Sequence, residues 1–270
     1  MLVRFGTERL LYRLSSSPEA ARFLLKGATL FSAWGGAPHR MTKDADLLGF
    51  GDPSPPALER LFRGLAGVDT AGEDGLRFEP ASVRVEEIRE DSSYGGVRVT
   101  LRATLDGAVI PLQVDVAYGE AVDPEPEEVE LPVILALPAP RLRAYPREVV
   151  IAEKFEAMVK LGVANSRMKD YYDVWYLAKT HRFDAGRLRR AVSATFGRRG
   201  TAIPEHTPIA LSDEFALDAS RIRMWESFLE KAVGRVGVGL DERPSLAEVV
   251  GSSRPFLMNI AVSAGSSADA

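Results

Sequence analysis

The hydrophobic periodicity of this chain changes from strand-like to helical near Pro146, and this change limits the folds that the chain can adopt. Before it, apolar and polar residues alternate with a period of two through segments 82–88, 96–105 and 109–118, as in half-buried strands. After it, apolar residues recur at helical spacing. Strands followed by helices predict an α+β fold, in which a mixed sheet with helices precedes a C-terminal helical bundle.

The same change predicts the domain organisation. We expect residues 1–145 to form the domain that contains the sheet and residues 146–260 to form a helical domain. The last segment, 261–270, is rich in Ser, Gly and Ala, and we expect it to be a flexible tail.

Composition narrows the kinds of site that the chain can hold. It has no Cys and 3 His in 270 residues, which excludes disulfide frameworks and thiolate zinc sites. Any bound metal is therefore expected to be a hard cation held by oxygen. Segment 1–17 lacks the apolar core of a signal peptide, and no uncharged apolar run approaches the roughly 18 residues of a membrane span. We expect a cytoplasmic protein.

Three aspartates are placed where they could share a metal ion. Asp44 and Asp46 lie two residues apart in the predicted strand 44–50, so both point to one face. Asp115 lies in the apolar strand 109–118, where a buried acid is costly unless a cation or donors compensate for its charge. The alternative for Asp44 and Asp46 is that their strand lies exposed at an edge of the sheet, where both acids are solvated. Ions bridged by three such carboxylates could activate a hydroxyl and stabilise a leaving pyrophosphate, which indicates nucleotidyl transfer.

Four residues near these acids could hold phosphates. Gly27 ends a predicted strand, where a glycine lets the backbone approach a phosphate, and Thr29 could add a hydroxyl. Arg40 could brace a triphosphate, and Thr42 could position either a phosphate oxygen or an Asp side chain. Purely structural roles are the alternatives. The glycine could serve only the geometry of a turn, the arginine could lie on the surface, and Thr42 could simply begin a strand.

Two charged residues align with the apolar stripes of predicted helices. Lys154 lies on helix 147–161 and Asp170 on helix 166–179. They could contact a charged ligand, or they could pair with each other across two packed helices. The residues alone leave both interpretations open.

Segment 179–199 holds seven basic residues and one acid, Asp184. Such a surface could follow the phosphate backbone of an RNA, although a solvated arginine-rich helix is equally compatible with the pattern. We call its arginines the basic strip: Arg182, Arg187, Arg189, Arg190, Arg198 and Arg199.

Five short motifs in this order resemble the AbiEii/AbiGii-type nucleotidyltransferase toxins of type IV toxin–antitoxin systems, within the DNA polymerase β-like nucleotidyltransferase superfamily. The family usually has Gly or Ser after the first glycine, where this chain has Ala28. The motifs are Leu-Lys-Gly-Ala-Thr at 25–29, Arg-Met-Thr-Lys-Asp-Ala-Asp at 40–46, Leu-Gln-Val-Asp-Val-Ala-Tyr-Gly-Glu at 112–120, Ile-Ala-Glu-Lys at 151–154 and Ser-Arg-Met-Lys-Asp-Tyr-Tyr-Asp at 166–173.

This resemblance implies a magnesium-dependent enzyme that transfers NMP from an NTP to an acceptor. In characterised relatives the acceptor can be the 3′ end of tRNA, which stops translation, and an antitoxin is often encoded beside the toxin. Asp44 and Asp46 correspond to the metal-binding catalytic acids, and Asp115 corresponds to the third acid. Lys154 and Asp170 correspond to a catalytic pair that contacts the nucleotide. The nucleotide-binding set is Gly27, Thr29, Arg40 and Thr42.

Two other functions are compatible with the same motifs. The enzyme could nucleotidylate a small molecule or a protein, as other members of the superfamily do. A chain of this kind could also be a catalytically silent binding module or an antitoxin partner. Retention of all three acids favours an enzyme, since a silent scaffold has no need of buried charges.

Overall fold

The structure is a computed structural model, which describes residues 1–35, 40, 42, 44–68, 71–88, 95–120, 122–233 and 243–265. Its contacts divide the chain into two units. The first comprises Met1–Glu120 and Pro126–Tyr145, and the second comprises Ala121–Glu125 and Pro146–Ala270. The second unit thus includes a short segment that the sequence analysis assigns to the first domain.

The first unit is built on a mixed sheet, which has eight strands within the described residues. The strands are β1 (Phe23–Lys26), β2 (Asp44–Gly49), β3 (Arg77–Phe78), β4 (Arg84–Ile88), β5 (Gly96–Leu105), β6 (Ala108–Tyr118), β7 (Glu127–Glu130) and β8 (Arg141–Ala144).

The order of the strands brings β2 and β6 together at the centre of this sheet. The order is β3-β5-β6-β2-β1-β8-β7, and β4 pairs with β5. Strands β2 and β6 are parallel, as are β1 and β8, while the other pairs are antiparallel. Because β2 and β6 are far apart in sequence, acids on the two strands become neighbours only through this topology.

One face of the sheet is covered by helices. The first unit contains α1 (Leu2–Ser15), α2 (Leu30–Gly35), α3 (Pro55–Ala66) and α4 (Ala71–Asp74). Helix α3 buries Leu58, Phe62 and Leu65, and the ring of Phe62 meets the ring of Phe23 edge to face at 6.4 Å between centroids. The apolar residues of β5 and β6 alternate with polar ones, so the polar side chains of these strands share the opposite face.

The second unit is helical. Its helices are α5 (Arg147–Leu161), α6 (Met168–Thr180), α7 (Ala185–Arg199), α8 (Asp213–Leu217), α9 (Ala219–Phe228) and α10 (Leu246–Gly265). Phe155 of α5 packs on Phe196 of α7 at 5.3 Å between centroids. Helix α10 continues through Gly265, so residues 261–265 are helical where the sequence predicts a tail. The remainder of that predicted tail, 266–270, lies outside the described residues.

Tyr172 of α6 is buried against Trp225, so this aromatic residue packs in the interior of the unit. Over the described part of the chain, no helix is both long enough and apolar enough to cross a lipid bilayer.

Candidate functional site

Three carboxylates meet on the polar face of the sheet. The parallel register of β2 and β6 places Asp46 beside Asp115 and Asp44 beside Gln113. One oxygen atom from each of the three aspartates lies within 4.8 Å of the other two, and all three side chains are half-buried. The structure therefore brings together the three acids that the sequence proposes as metal ligands.

Asp115 is held by two residues that the sequence analysis did not identify. Arg98 of β5 donates from Nε to Oδ1 and from Nη2 to Oδ2, both at 2.8 Å. The amide Nε2 of Gln113 lies 3.2 Å from each of the same two oxygens. These bonds fix the plane of the carboxylate, and its exposed fraction is 14%.

The hydrogen bonds to Asp115 raise the pKa of Arg98, and the charges of Asp115 and Asp44 raise it further. Arg98 is thus a permanent positive charge next to the acids. It is paired with Asp115 only through the antiparallel register of β5 and β6, in which residue 98 faces residue 115. The polar positions that alternate along β5 are the signal that could have suggested it.

The other two acids are positioned by the residues of the two N-terminal motifs. Thr42 donates from Oγ1 to Oδ1 of Asp44 at 3.0 Å, which is the second of the two roles that the sequence left open. Gly27 has a φ of +74°, and a Cβ atom built on it would lie 1.9 Å from Oδ2 of Asp46. The carboxylate of Asp46 therefore occupies the space that a side chain at position 27 would fill.

The remaining residues of these motifs lie on or near the first strands. Ala28 is buried and Thr29 is half-buried, immediately after β1. Arg40 is 8% exposed, which makes it one of the buried charged residues of the first unit. Met41 and Lys43, which belong to the second motif, lie outside the described residues.

The donor set suits a hard divalent cation. It consists of carboxylate oxygens alone, which are ligands of the kind that Mg²⁺ and Ca²⁺ prefer. Three negative groups so close together repel one another, and Arg98 pairs with Asp115 among them. A cation bound between Asp44, Asp46 and Asp115 would reduce this repulsion.

Lys154 and Asp170 form an ion pair in the second unit. Nζ of Lys154 lies 2.7 Å from Oδ1 of Asp170 and 2.8 Å from Oδ2 of Asp173, and both aspartates are fully buried. Nε of Arg167 approaches Oδ2 of Asp170 at 2.7 Å. Burial alone would raise the pKa of Asp170, but the charges of Lys154 and Arg167 outweigh it and lower the pKa. The ion pair between Lys154 and Asp170, which is one of the two interpretations that the sequence left open, is therefore present.

Three arginines of the basic strip are paired with acids of the second unit. Arg187 contacts Glu148 at 3.3 Å, and Arg190 contacts Asp123 at 3.5 Å. Arg199 contacts Glu156 at 2.8 Å with only 11% of its side chain exposed. These acids reduce the positive charge that the strip presents to a partner.

The chain is similar to known proteins in sequence and in fold. Residues 9–243 match the family model described as nucleotidyl transferase AbiEii toxin, type IV TA system. No curated protein matches the chain. The crystal structure of JHP933 from Helicobacter pylori is similar, with a TM-score of 0.50 and 14% identity over 97% of this chain and 91% of that chain. A second H. pylori crystal structure, provisionally described as a nucleotidyltransferase, has a TM-score of 0.49 and 15% identity over 96% of this chain and 92% of that chain.

At 14% identity, the likeness to JHP933 is a likeness of fold, which spans nearly the whole of both chains. It agrees with the mixed sheet and the helical C-terminal half, so the predicted fold class is confirmed. The family match covers far more than half of the sequence and includes all five motifs on which the resemblance rests. The chain belongs to the AbiEii family of nucleotidyl transferase toxins of type IV toxin–antitoxin systems.

Proposed function

We propose that this toxin transfers NMP from an NTP to the 3′ end of tRNA in a magnesium-dependent reaction and thereby blocks translation. The observation that carries this proposal is the convergence of Asp44, Asp46 and Asp115 within 4.8 Å on adjacent strands. Their donor chemistry fits a hard cation.

The reaction joins the acceptor hydroxyl to the α-phosphorus of the NTP and breaks the bond to pyrophosphate. We assign Asp44 and Asp46 as ligands of Mg²⁺, with Asp115 as the third ligand or as the base that takes the hydroxyl proton. When bound, Mg²⁺ would neutralise charge on the phosphates and stabilise the leaving pyrophosphate. The bidentate bond from Arg98 orients Asp115 for either role.

The nucleotide is assigned to two groups of residues. Gly27, Thr29, Arg40 and Thr42 are proposed to hold the triphosphate; Thr42 already contacts Asp44 and is therefore next to the metal ligands. In the second unit, Lys154 and Asp170 are proposed as the catalytic pair that contacts the nucleotide. A ligand phosphate would then have to compete with Asp170 and Asp173 for the ammonium of Lys154.

The family also suggests the biological setting. Type IV toxin–antitoxin systems supply a cognate antitoxin, and we propose that one counteracts this chain. Because NTPs and tRNA are both present in the cytoplasm, we propose that the protein acts there.

Incubation with labelled NTPs and total RNA tests the reaction. Wild-type protein should label tRNA, and the Asp44→Asn variant should not, because it loses a metal ligand. Glu128→Gln is the control, since it also neutralises an acid of the first unit, but one that is exposed and lies far along the sheet on β7. Label in protein or in a small molecule instead of RNA would favour the other acceptors. Equal labelling by wild type and Asp44→Asn would contradict the mechanism.

Growth after induction tests the toxin function separately. Expression of wild-type protein should stop growth, and Asp46→Ala should abolish this toxicity while the protein accumulates to the same level. If expression of the wild type is harmless in hosts that lack an antitoxin, the alternative of a silent binding module is favoured.

A further inference from the structure

A groove in the first unit lies next to the three acids and has a volume of about 760 Å³. Thr42 and Gln113 line it, and these two residues also donate hydrogen bonds to Asp44 and Asp115. The groove is therefore adjacent to the site where the reaction is proposed to occur. We call it the arginine groove, because Arg4, Arg84 and Arg102 line it.

The charge of the groove favours an anionic ligand. Its described lining includes three arginines and no carboxylate, although the protein as a whole has a net charge of −4. Side chains of Arg4, Arg84 and Arg102 are exposed. Arg102 also contacts Glu79 at 3.1 Å, but both side chains are exposed, and such pairs contribute little. A phosphate group could therefore replace Glu79 as the partner of Arg102.

The position of the groove indicates that it binds the acceptor and not the NTP. Gly27 follows β1, which adjoins β2 on one side of the acids, whereas Thr100 and Arg102 of β5 lie on the other side, beyond β6. In an in-line displacement, the attacking oxygen and the leaving pyrophosphate lie on opposite sides of the phosphorus. If the triphosphate occupies the side of Gly27, the attacking group approaches from the side of β5.

We propose that the arginine groove binds the single-stranded 3′ end of the acceptor RNA, with Arg4, Arg84 and Arg102 contacting its phosphates. This inference rests on the proposed function and places the acceptor on the first unit. Its volume suits a few nucleotides of a single strand. The basic strip is a weaker site, since Arg187, Arg190 and Arg199 are already paired with carboxylates.

Direct binding tests the proposal without requiring turnover. The probe is a fluorescently labelled single-stranded RNA of about 12 nucleotides, whose anisotropy is measured against protein at several salt concentrations. The groove variant combines Arg4→Gln, Arg84→Gln and Arg102→Gln. We expect its affinity to fall by about 10-fold to 100-fold at about 0.1 M salt. The slope of log K against log salt should decrease by about 2, at about 0.7 for each phosphate contact on a single strand.

The matched control removes the same charge from the basic strip through Arg182→Gln, Arg189→Gln and Arg198→Gln, and it should retain most of the affinity and slope. Loss of binding in this control, with normal binding by the groove variant, would overturn the proposal.

If the groove variant unfolds, RNA binding by Glu79→Gln tests the proposal instead. Tighter RNA binding by Glu79→Gln supports the groove, because Arg102 loses its competing partner, and unchanged or weaker binding overturns it.

The two proposals can fail separately. Groove-dependent RNA binding without any transfer of label from NTP would contradict the proposed reaction and leave the groove assigned to RNA. Transfer to RNA that is equally fast in wild type and in a folded groove variant would support the reaction and exclude the groove as the acceptor site.

Discussion

The carboxylate of Asp46 is packed against the backbone of Gly27, so that a Cβ atom at position 27 would lie 1.9 Å from its Oδ2. Lys26, the residue before this glycine, is paired in register with Asp46 across β1 and β2. The glycine of the first motif therefore has a role beyond any approach to phosphate, since it leaves the space in which the carboxylate of Asp46, a proposed metal ligand, is placed.

Gly27→Ala should abolish nucleotidyl transfer. The new methyl group displaces Asp46, and the φ of +74° is unfavourable for alanine. Gly64→Ala is the matched control, because nothing lies within 4 Å of a Cβ atom built at this position in α3. It should keep full activity and raise the free energy of unfolding by about 0.5–1 kcal/mol. Initial rates of label transfer and thermal unfolding measure both effects, and an active Gly27→Ala enzyme would contradict the assignment.

Arg98→Lys should reduce the rate of transfer by about 10-fold to 100-fold, as substitutions of residues that orient metal ligands commonly do. Lysine keeps the positive charge but cannot donate two parallel hydrogen bonds to Asp115. The measurement is kcat at saturating NTP and Mg²⁺. Arg63→Lys, at an exposed pair with Glu59 on α3, is the control and should leave kcat unchanged. A normal kcat in Arg98→Lys would show that charge alone is sufficient.

Asp170→Asn should lower the free energy of unfolding near pH 7 by about 1.5–3 kcal/mol, the usual contribution of hydrogen bonds to charged groups. The loss is moderate, because Asp173 still contacts Lys154. Glu214→Gln, an exposed acid in α8 of the same unit, should change stability by less than about 0.5 kcal/mol. Urea unfolding measures these differences.

The effect of Asp170→Asn should also depend on pH. Because the pKa of Asp170 is lowered in the folded protein, its charge contributes stability above the unfolded pKa of about 3.9, and this contribution is lost as the pH falls through the folded pKa. The difference between wild type and variant should therefore shrink when unfolding is measured below about pH 4. If the difference in the free energy of unfolding stays constant across this pH range, the pKa of Asp170 is not lowered in the folded protein.

Arg199→Gln should destabilise the protein by about 3–5 kcal/mol, whereas Arg198→Gln should change the free energy of unfolding by less than about 0.5 kcal/mol. Arg199 contacts Glu153 and the buried Glu156, which also accepts a hydrogen bond from the hydroxyl of Thr201. Removal of the arginine leaves Glu156 buried without its cation. Arg198 is exposed. Equal stability of the two variants, measured by thermal or urea unfolding, would exclude a structural role for Arg199.

Local pattern was sufficient to predict the long elements of the fold. Strand β5 and helix α5 have the bounds that periodicity predicts, since alternation and helical spacing continue without interruption through each of them. Periodicity does not predict helix α1, because its buried face includes Arg9 and Arg13, which interrupt the apolar stripe. The charge of Arg13 is balanced by Asp74 at 2.8 Å, a residue that lies far away in the sequence.

The sequence by itself determined which acids could bind a metal, because two carboxylates two residues apart on a strand share a face whatever the topology. Only the tertiary structure decided that Asp115 lies beside Asp46, that Arg98 holds Asp115, and that Lys154 pairs with Asp170. These relationships depend on strand order, register and helix packing, which join segments that are distant in the chain. No local spacing encodes them, and so the acids could be predicted from the sequence while Arg98, which holds Asp115, could not.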